Sequence, residues 1–422
     1  MPENSVITLT VTDFAHGGFA VGRTSEGKTA FVRGALPGET VRARVYQSKK
    51  RFVKARCVDV LGASAYRIDH PWPEGRIGST GAADLGHVRL DYQHELKARV
   101  VNNQLARIGG EEVVDALAPF NLAPRSLPDS TRDGWYTRTR YDAVVLPGGL
   151  GMYEEHSHRI VAISSMPLAV ETIARGAHFA GALDGFFDKG ERVHIVAPSV
   201  GGAVAVGASG VMPLRDGEQY ESVDRAKENA WITERVSFGE CDFEYRLASG
   251  GFWQVHFAAP AALVRCVMKY AQVDRADRVL ELFSGAGLLS LPLAQAVGSR
   301  GRLLSVEGSQ TAVHNGAFNL GTYPWAQARQ GWIDAQSTAE ALRDVQPSIV
   351  IADPPRAGLG VDAAKVIASS KAHRMVLVSC DPAAMARDIS VFVRHGWRVE
   401  NAVALDFFPN THHIETVVSM AR

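Results

Sequence analysis

From Asp274 onward, short apolar runs alternate with stretches of helical spacing. Strands are predicted over 278–283, 302–306, 348–352, 375–378 and 414–420. Helices are predicted from Gly285 through GAGLLSLPLAQAV, and over 311–320, 361–369 and 383–392. That alternation predicts a doubly wound α/β sheet. The chain is organised around 374–389, RMVLVSCDPAAMARDI. Met375-Val376-Leu377-Val378 is continuously apolar and twice β-branched, as in a strand buried on both faces. Asp381-Pro382 then supplies an N-cap residue and a proline for the first helical position. Cys380 is thereby placed at the carboxyl end of a strand, where ligands of open α/β sheets collect. A helix N-terminus beside it is expected to favour the thiolate.

Before Asp274 the pattern differs. Residues 6–60 read as short strands broken by turns: ITLTVTDF alternates, Gly17-Gly18 and Gly22 form a corner, and two strands flank Pro37-Gly38. Glycine corners let a small OB-like β-barrel bend sharply. Arg42, Arg44, Lys49, Lys50, Arg51, Lys54 and Arg56 fall within 41–56, with no acid among them and with Tyr46 and Phe52 interleaved. Such a stripe suits an RNA backbone. Residues 63–249 read as a strand-rich middle domain, with alternating TRYDAVVLP and ERVHIVAP. A helix over 95–110 can pack on the doubly wound C-terminal part. The expected division is 1–62, 63–249 and 250–422.

Length and charge agree with this plan. A chain of 422 residues suggests two or three domains. A formal net charge of zero argues against a wholly basic nucleic-acid binder, so the local stripe matters more. Cys57, Cys241, Cys266 and Cys380 are widely spaced and form no CxxC pair, against a disulfide framework or zinc site. No apolar stretch reaches membrane-spanning length. The opening MPENSVITLTV has no basic segment before an apolar core, so no signal peptide is expected. A cytoplasmic protein is expected, and a monomer.

Glu281-Leu-Phe-Ser-Gly-Ala-Gly287 joins the first strand of the sheet to its helix. Gly285 and Gly287 let the backbone approach a ligand, and Glu307 at the next strand end can accept two ribose hydroxyls. A three-glycine phosphate cradle is missing, which disfavours a dinucleotide. An acidic strand end after FxGxG resembles instead the S-adenosylmethionine site of class I methyltransferases. Asp353-Pro354-Pro355-Arg356 closes a later strand. It resembles the active-site loop of methyltransferases that act on nucleobases.

Phe252-Trp253-Gln254, ELFSGAG, DPPRAG, SCDP and 408–415, FPNTHHIE, occur in that order. Together they resemble the RNA 5-methyluridine methyltransferase family, and the N-terminal stretch resembles the TRAM domain common in it. The resemblance implies Cys380 as nucleophile and Glu415 as base. It implies cofactor contacts from Gln254, Phe283, Glu307 and Asp353 beside Gly285, with Asp334 as a candidate adenine contact. His413 could orient Glu415 or touch RNA. Uracil carbon 5 is too weak a nucleophile to take a methyl group directly. A thiolate adding at carbon 6 activates it, and a base must later remove the carbon 5 proton. The implied partner is structured RNA, tRNA or rRNA.

Two departures stand out. Many family members carry four cysteines for an iron–sulfur cluster. The corresponding stretches here are 78–83, GSTGAA, and 164–167, SSMP, with no cysteine in either. Thiolates are the required ligands, so no cluster is expected. His256 stands where asparagine is usual, putting a pocket contact in question. Competing readings are an RNA cytosine-5 methyltransferase, which would pair its thiol with a different proline–cysteine loop, methylation of an exocyclic amine, and an RNA-binding or chaperone module without catalysis.

Overall fold

A computed structural model describes residues 2–128, 133–155, 157–214 and 231–422. Five strands, β1 (Val6–Ala15), β2 (Phe19–Arg23), β3 (Thr29–Arg33), β4 (Thr40–Ser48) and β5 (Phe52–Gly62), close a barrel in the order β1-β2-β3-β5-β4. Alternation explains it: Val41, Ala43 and Val45 fill the interior, and Arg42, Arg44 and Tyr46 face out. β3 and β5 pair in parallel, which closes the ring.

The next unit follows α1 (Leu90–Gln104) and α2 (Glu111–Leu117). β6 (Arg140–Leu146), β7 (Gly149–Tyr153), β8 (Ile160–Ile163), then α3 (Glu171–Ala174), β9 (Arg192–Val196), β10 (Val204–Gly207) and β11 (Gly210–Pro213) build an antiparallel sheet. Its order among the described residues is β11-β10-β9-β6-β7-β8. A hairpin of β12 (Trp231–Phe238) and β13 (Cys241–Ala248) leads into α4 (Ala259–Ala271).

The doubly wound part contains β14 (Arg278–Leu282), α5 (Ser290–Val297), β15 (Arg302–Glu307), α6 (Gln310–Asn319), β16 (Ala326–Gln330), α7 (Ala335–Val345) and β17 (Ile349–Ala352). It continues with α8 (Val361–Ala368), β18 (Arg374–Ser379), α9 (Pro382–Arg394), β19 (Arg398–Leu405) and β20 (Glu415–Ala421). Sheet order is β16-β15-β14-β17-β18-β20-β19. β14 to β18 run parallel, and β20 inserts antiparallel between β18 and β19. The chain leaves β14 for one side of the sheet and returns to β17 on the other. That reversal is the switch point at which such sheets bind ligands.

Several local expectations change. The first helix of the sheet starts at Ser290 rather than Gly285, because residues 284–289 form a tight turn. β16, AQARQ, and β19 were not predicted: both are edge strands without a long apolar run. The helix expected over 95–110 runs instead from Leu90 to Gln104 and ends in a π-turn over Leu105–Gly109. It packs on both α9 and β1.

That helix also braces the loop before β20. Lys97, fully buried, donates from Nζ to Asp406 Oδ1 at 2.6 Å and to the Phe408 carbonyl at 3.1 Å. His94 Nε2 pairs with Asp406 Oδ2 at 2.9 Å, and Gln93 Nε2 donates to Asn410 Oδ1 at 3.0 Å. Losing one partner of such a buried pair strands a charge and costs about 3–5 kcal/mol.

Candidate active site

A cavity of about 1330 Å³ opens at the carboxyl ends of β14, β15, β17 and β18. The ELFSGAG turn forms one wall. Phe283 (φ 62°), Gly285 (φ 54°) and Gly287 (φ 94°) all occupy the left-handed region. For a bulky residue such as Phe283 this conformation costs of order 1–3 kcal/mol, and strain of this kind concentrates at functional sites. At the end of β15 both oxygens of Glu307 are aimed by the backbone. Gly285 N–H donates to Oε2 at 3.0 Å and Ser309 N–H to Oε1 at 2.8 Å. Each oxygen keeps a lone pair for a ligand.

Cys380 and Glu415 come together through strand register. Ser379 of β18 pairs with Thr416 of β20, so the next positions on the two strands are Cys380 and Glu415. Both line the cavity, as does Asp353 at the end of β17. The three acids are crowded. Burial pushes Asp353 up to about 7, and burial and the neighbouring Asp353 push Glu415 well above the usual carboxylate range. Glu415 Oε1 has no hydrogen-bond partner among the described residues. Below them, burial also raises Glu281 to about 7, although the Ser305 hydroxyl donates to it at 2.6 Å. No Lys, Arg or His among the described residues forms an ion pair with Glu281, Asp353 or Glu415.

The state of Cys380 corrects the sequence expectation of a thiolate. Its thiol is pushed up to about 12, first by burial and then by the negative charge of Glu415 and Asp353. The helix behind it offers little in return. Pro382 has no N–H, and Asp381 Oδ1 already accepts from the N–H groups of Ala383 and Ala384, each at 2.9 Å. The same N-cap that starts α9 consumes the donors that would have stabilised the sulfur.

Residues 223–422 match the model of the tRNA (Uracil-5-)-methyltransferase family, and residues 3–58 match the TRAM domain. Over 96% of its length the chain is 33% identical to an uncharacterized RNA methyltransferase of Streptomyces avermitilis, covering 95% of that protein. The chain belongs to the tRNA (uracil-5-)-methyltransferase family. It is also 26% identical, over 98% of its length and 95% of the relative's, to the 23S rRNA (uracil(1939)-C(5))-methyltransferase RlmD of Acinetobacter baylyi. Its fold is shared with the Pyrococcus abyssi tRNA (uracil-54, C5)-methyltransferase crystallised with S-adenosyl-L-homocysteine. The TM-score is 0.69 at 22% identity, over 98% of this chain and 100% of that one.

The uracil-5 methyltransferase motifs converge unequally. Gln254, Phe283, Gly285, Glu307, Asp353, Cys380 and Glu415 line one cavity. Asp334 does not line it: its carboxylate caps α7, accepting from Ser337 N–H at 2.9 Å, while Trp332 and Ile333 beside it reach the wall. His413 makes no hydrogen bond to Glu415. It accepts from Arg356 at 3.1 Å, and burial, with His412 and Arg356 nearby, pushes its ring down to about 3. It is therefore neutral near pH 7. His256 is fully buried, accepts from Ala258 N–H at 3.1 Å and does not line the cavity. The departure from asparagine thus leaves the wall unchanged.

Asn315 on α6 was missed. It is almost fully buried, lines the cavity, and its Oδ1 has no partner among the described residues. Nothing in HNGA marks it, since its position depends on how α6 lies over the glycine turn. Trp332, 79% exposed at the cavity mouth, was also missed. An exposed tryptophan in the loop after a short edge strand has no periodicity to reveal it.

Proposed function

We propose that this protein methylates carbon 5 of a uridine in structured RNA, using S-adenosyl-L-methionine. The observation that carries the reading is one cavity holding Cys380 opposite an unpartnered, buried Glu415, with the Gly285–Glu307 turn on its other wall. The residues fit the cofactor. Glu307 suits two ribose hydroxyls, and the uncompensated acids Asp353, Glu415 and Glu281 suit a positive charge. Asn315 Oδ1 offers a further acceptor. Gln254 and Phe283 complete that wall. Bound S-adenosyl-L-methionine supplies an electrophilic methyl group on a cationic sulfonium.

The chain's own part is addition and elimination. Cys380, only partly buried, gives up its proton to water more readily when a positive charge is held among these acids, because opposite charge favours every anion nearby. Its sulfur then bonds to carbon 6, and the displaced electron pair moves to the carbonyl oxygen at carbon 4. Carbon 5 becomes the nucleophile and takes the methyl group. Glu415, as carboxylate, removes the proton from carbon 5, and the electron pair left behind expels the Cys380 thiolate. Mapping 5-methyluridine in total RNA from cells with and without the gene tests the activity. Loss of no 5-methyluridine site on deletion would overturn it.

The residues at the family's cluster positions do not fit an iron–sulfur cluster. Thr80 Oγ1 donates to the Glu74 carbonyl at 2.7 Å and Ser164 Oγ to Glu74 Oε1 at 2.9 Å, so hydroxyls stand there in hydrogen bonds. No group of three His, Cys, Asp or Glu side chains among the described residues could hold a metal. Protein purified without oxygen is expected to be colourless and to contain no stoichiometric iron or sulfide by elemental analysis. Stoichiometric iron would sink this reading.

The barrel is proposed to contact RNA phosphates. Lys49, Lys50 and Arg51 occupy the turn between β4 and β5. Replacing all three with glutamine is expected to weaken RNA binding and flatten its salt dependence, by about one unit of log–log slope per lost contact. Affinity for the cofactor should not move. An unchanged slope in filter binding would show that the turn is solvated surface.

A further inference from the structure

A second cavity of about 620 Å³ lies where the barrel meets the loop before β20. Phe19, Tyr46 and Lys54 face it from the barrel, and Arg356, His412 and His413 from the catalytic side. Arg356 lines this cavity and the active-site cavity alike, so the two adjoin at that residue. We infer that the second cavity holds one nucleotide of the RNA next to the target uridine, with its base on Tyr46 and its phosphate between Lys54 and Arg356. The inference rests on the reading of the protein as an RNA methyltransferase.

Three observations support it. First, the size is right: small-molecule sites run to about 300–1,000 Å³. Second, the charge is right. Arg33 in the wall is already spent, on Asp84 Oδ2 at 3.2 Å and Glu155 Oε1 at 2.8 Å. Lys54 and Arg356, by contrast, form no ion pair with any acid among the described residues. Lys54 Nζ rests 5.4 Å from the centre of the Phe19 ring, which holds it in the cavity without neutralising it. The remaining acid in the wall, Glu3, is exposed near the start of the chain. Lys54 is half-buried and Arg356 exposed, so both cations without a counter-ion stay open to donate charge-assisted hydrogen bonds to a phosphate. Third, the stacking surface is right. Tyr46 is 43% exposed on the outer face of β4. Exposed aromatic faces beside cations are how proteins hold single-stranded bases without reading their edges.

The geometry also links this site to catalysis. His412 Nδ1 pairs with Asp84 at 2.6 Å, and Arg356 donates to His413. Both histidines lie in the loop that carries Glu415. A nucleotide in the second cavity would therefore lie against that loop and add to RNA binding beside the first cavity.

The test uses full-length protein, methyl incorporation from labelled cofactor, and total RNA from cells lacking the gene. Tyr46→Ala is expected to raise KM for RNA about 10–100-fold, the loss for one stacked base, with kcat, cofactor affinity and salt slope unchanged. Tyr46→Phe should restore KM, since it keeps the ring. Lys54→Ala should raise KM and lower the salt slope by about one unit. Cofactor affinity reports that each variant is folded. KM within twofold of the parent in both alanine variants would overturn the inference. If the parent methylates no RNA, the proposed activity fails, and filter binding of the same RNA decides the cavity separately. Weaker binding by both alanine variants would support it, and parental affinity would overturn it.

Discussion

Cys380→Ala is expected to lose turnover by about 10⁴-fold or more, the usual scale for removing a nucleophile, while still binding cofactor and RNA. The substitution removes one sulfur from a half-buried position and leaves the Asp381 cap of α9 intact, so the fold should survive. With no sulfur to add at carbon 6, no covalent protein–RNA complex should form. RNA containing 5-fluorouridine sharpens the measurement. In the parent enzyme it should accumulate an adduct stable to denaturing electrophoresis, because fluorine cannot leave carbon 5 as a proton does. In Cys380→Ala it should not. An adduct in the alanine variant, or parental turnover, would remove Cys380 from the nucleophile's role.

Glu415→Gln is expected to separate the first half of the reaction from the second. Addition and methyl transfer need the sulfur; only the last step needs the carboxylate. A neutral amide cannot take the carbon 5 proton, so turnover should fall about 10²–10⁴-fold, the range for general-base catalysis. The variant should instead accumulate a methylated adduct with ordinary RNA. Crowding makes the outcome sharper. Asp353 raises Glu415, and both raise the Cys380 thiol. Removing one negative charge should make Cys380 easier to ionise, so adduct formation should not slow. Mass spectrometry of the trapped species should show the added methyl group. Turnover at the parental rate would mean that another group, His413 or a water, removes the proton.

Much of the scaffold was legible in the residues alone, because it depends on near neighbours. The apolar run of β18, the Asp381-Pro382 start of α9 and the glycine turn after β14 are each decided within one strand or one helical turn. The barrel followed from strict alternation in β1 and β4. Edge strands were not legible: β16 has a partner on one side only, and so needs no apolar run. Nor was the chemical state of the site. A helix N-terminus beside Cys380 suggested a thiolate, but charge and burial answer to whatever lies nearby in space. Here that is Asp353 and Glu415, brought in by two other strands, and an N-cap that takes the helix donors for itself. Likewise Asp334 left the site and Asn315 entered it. A side chain's direction at the end of an element is set by packing across the sheet, and local sequence carries no record of that.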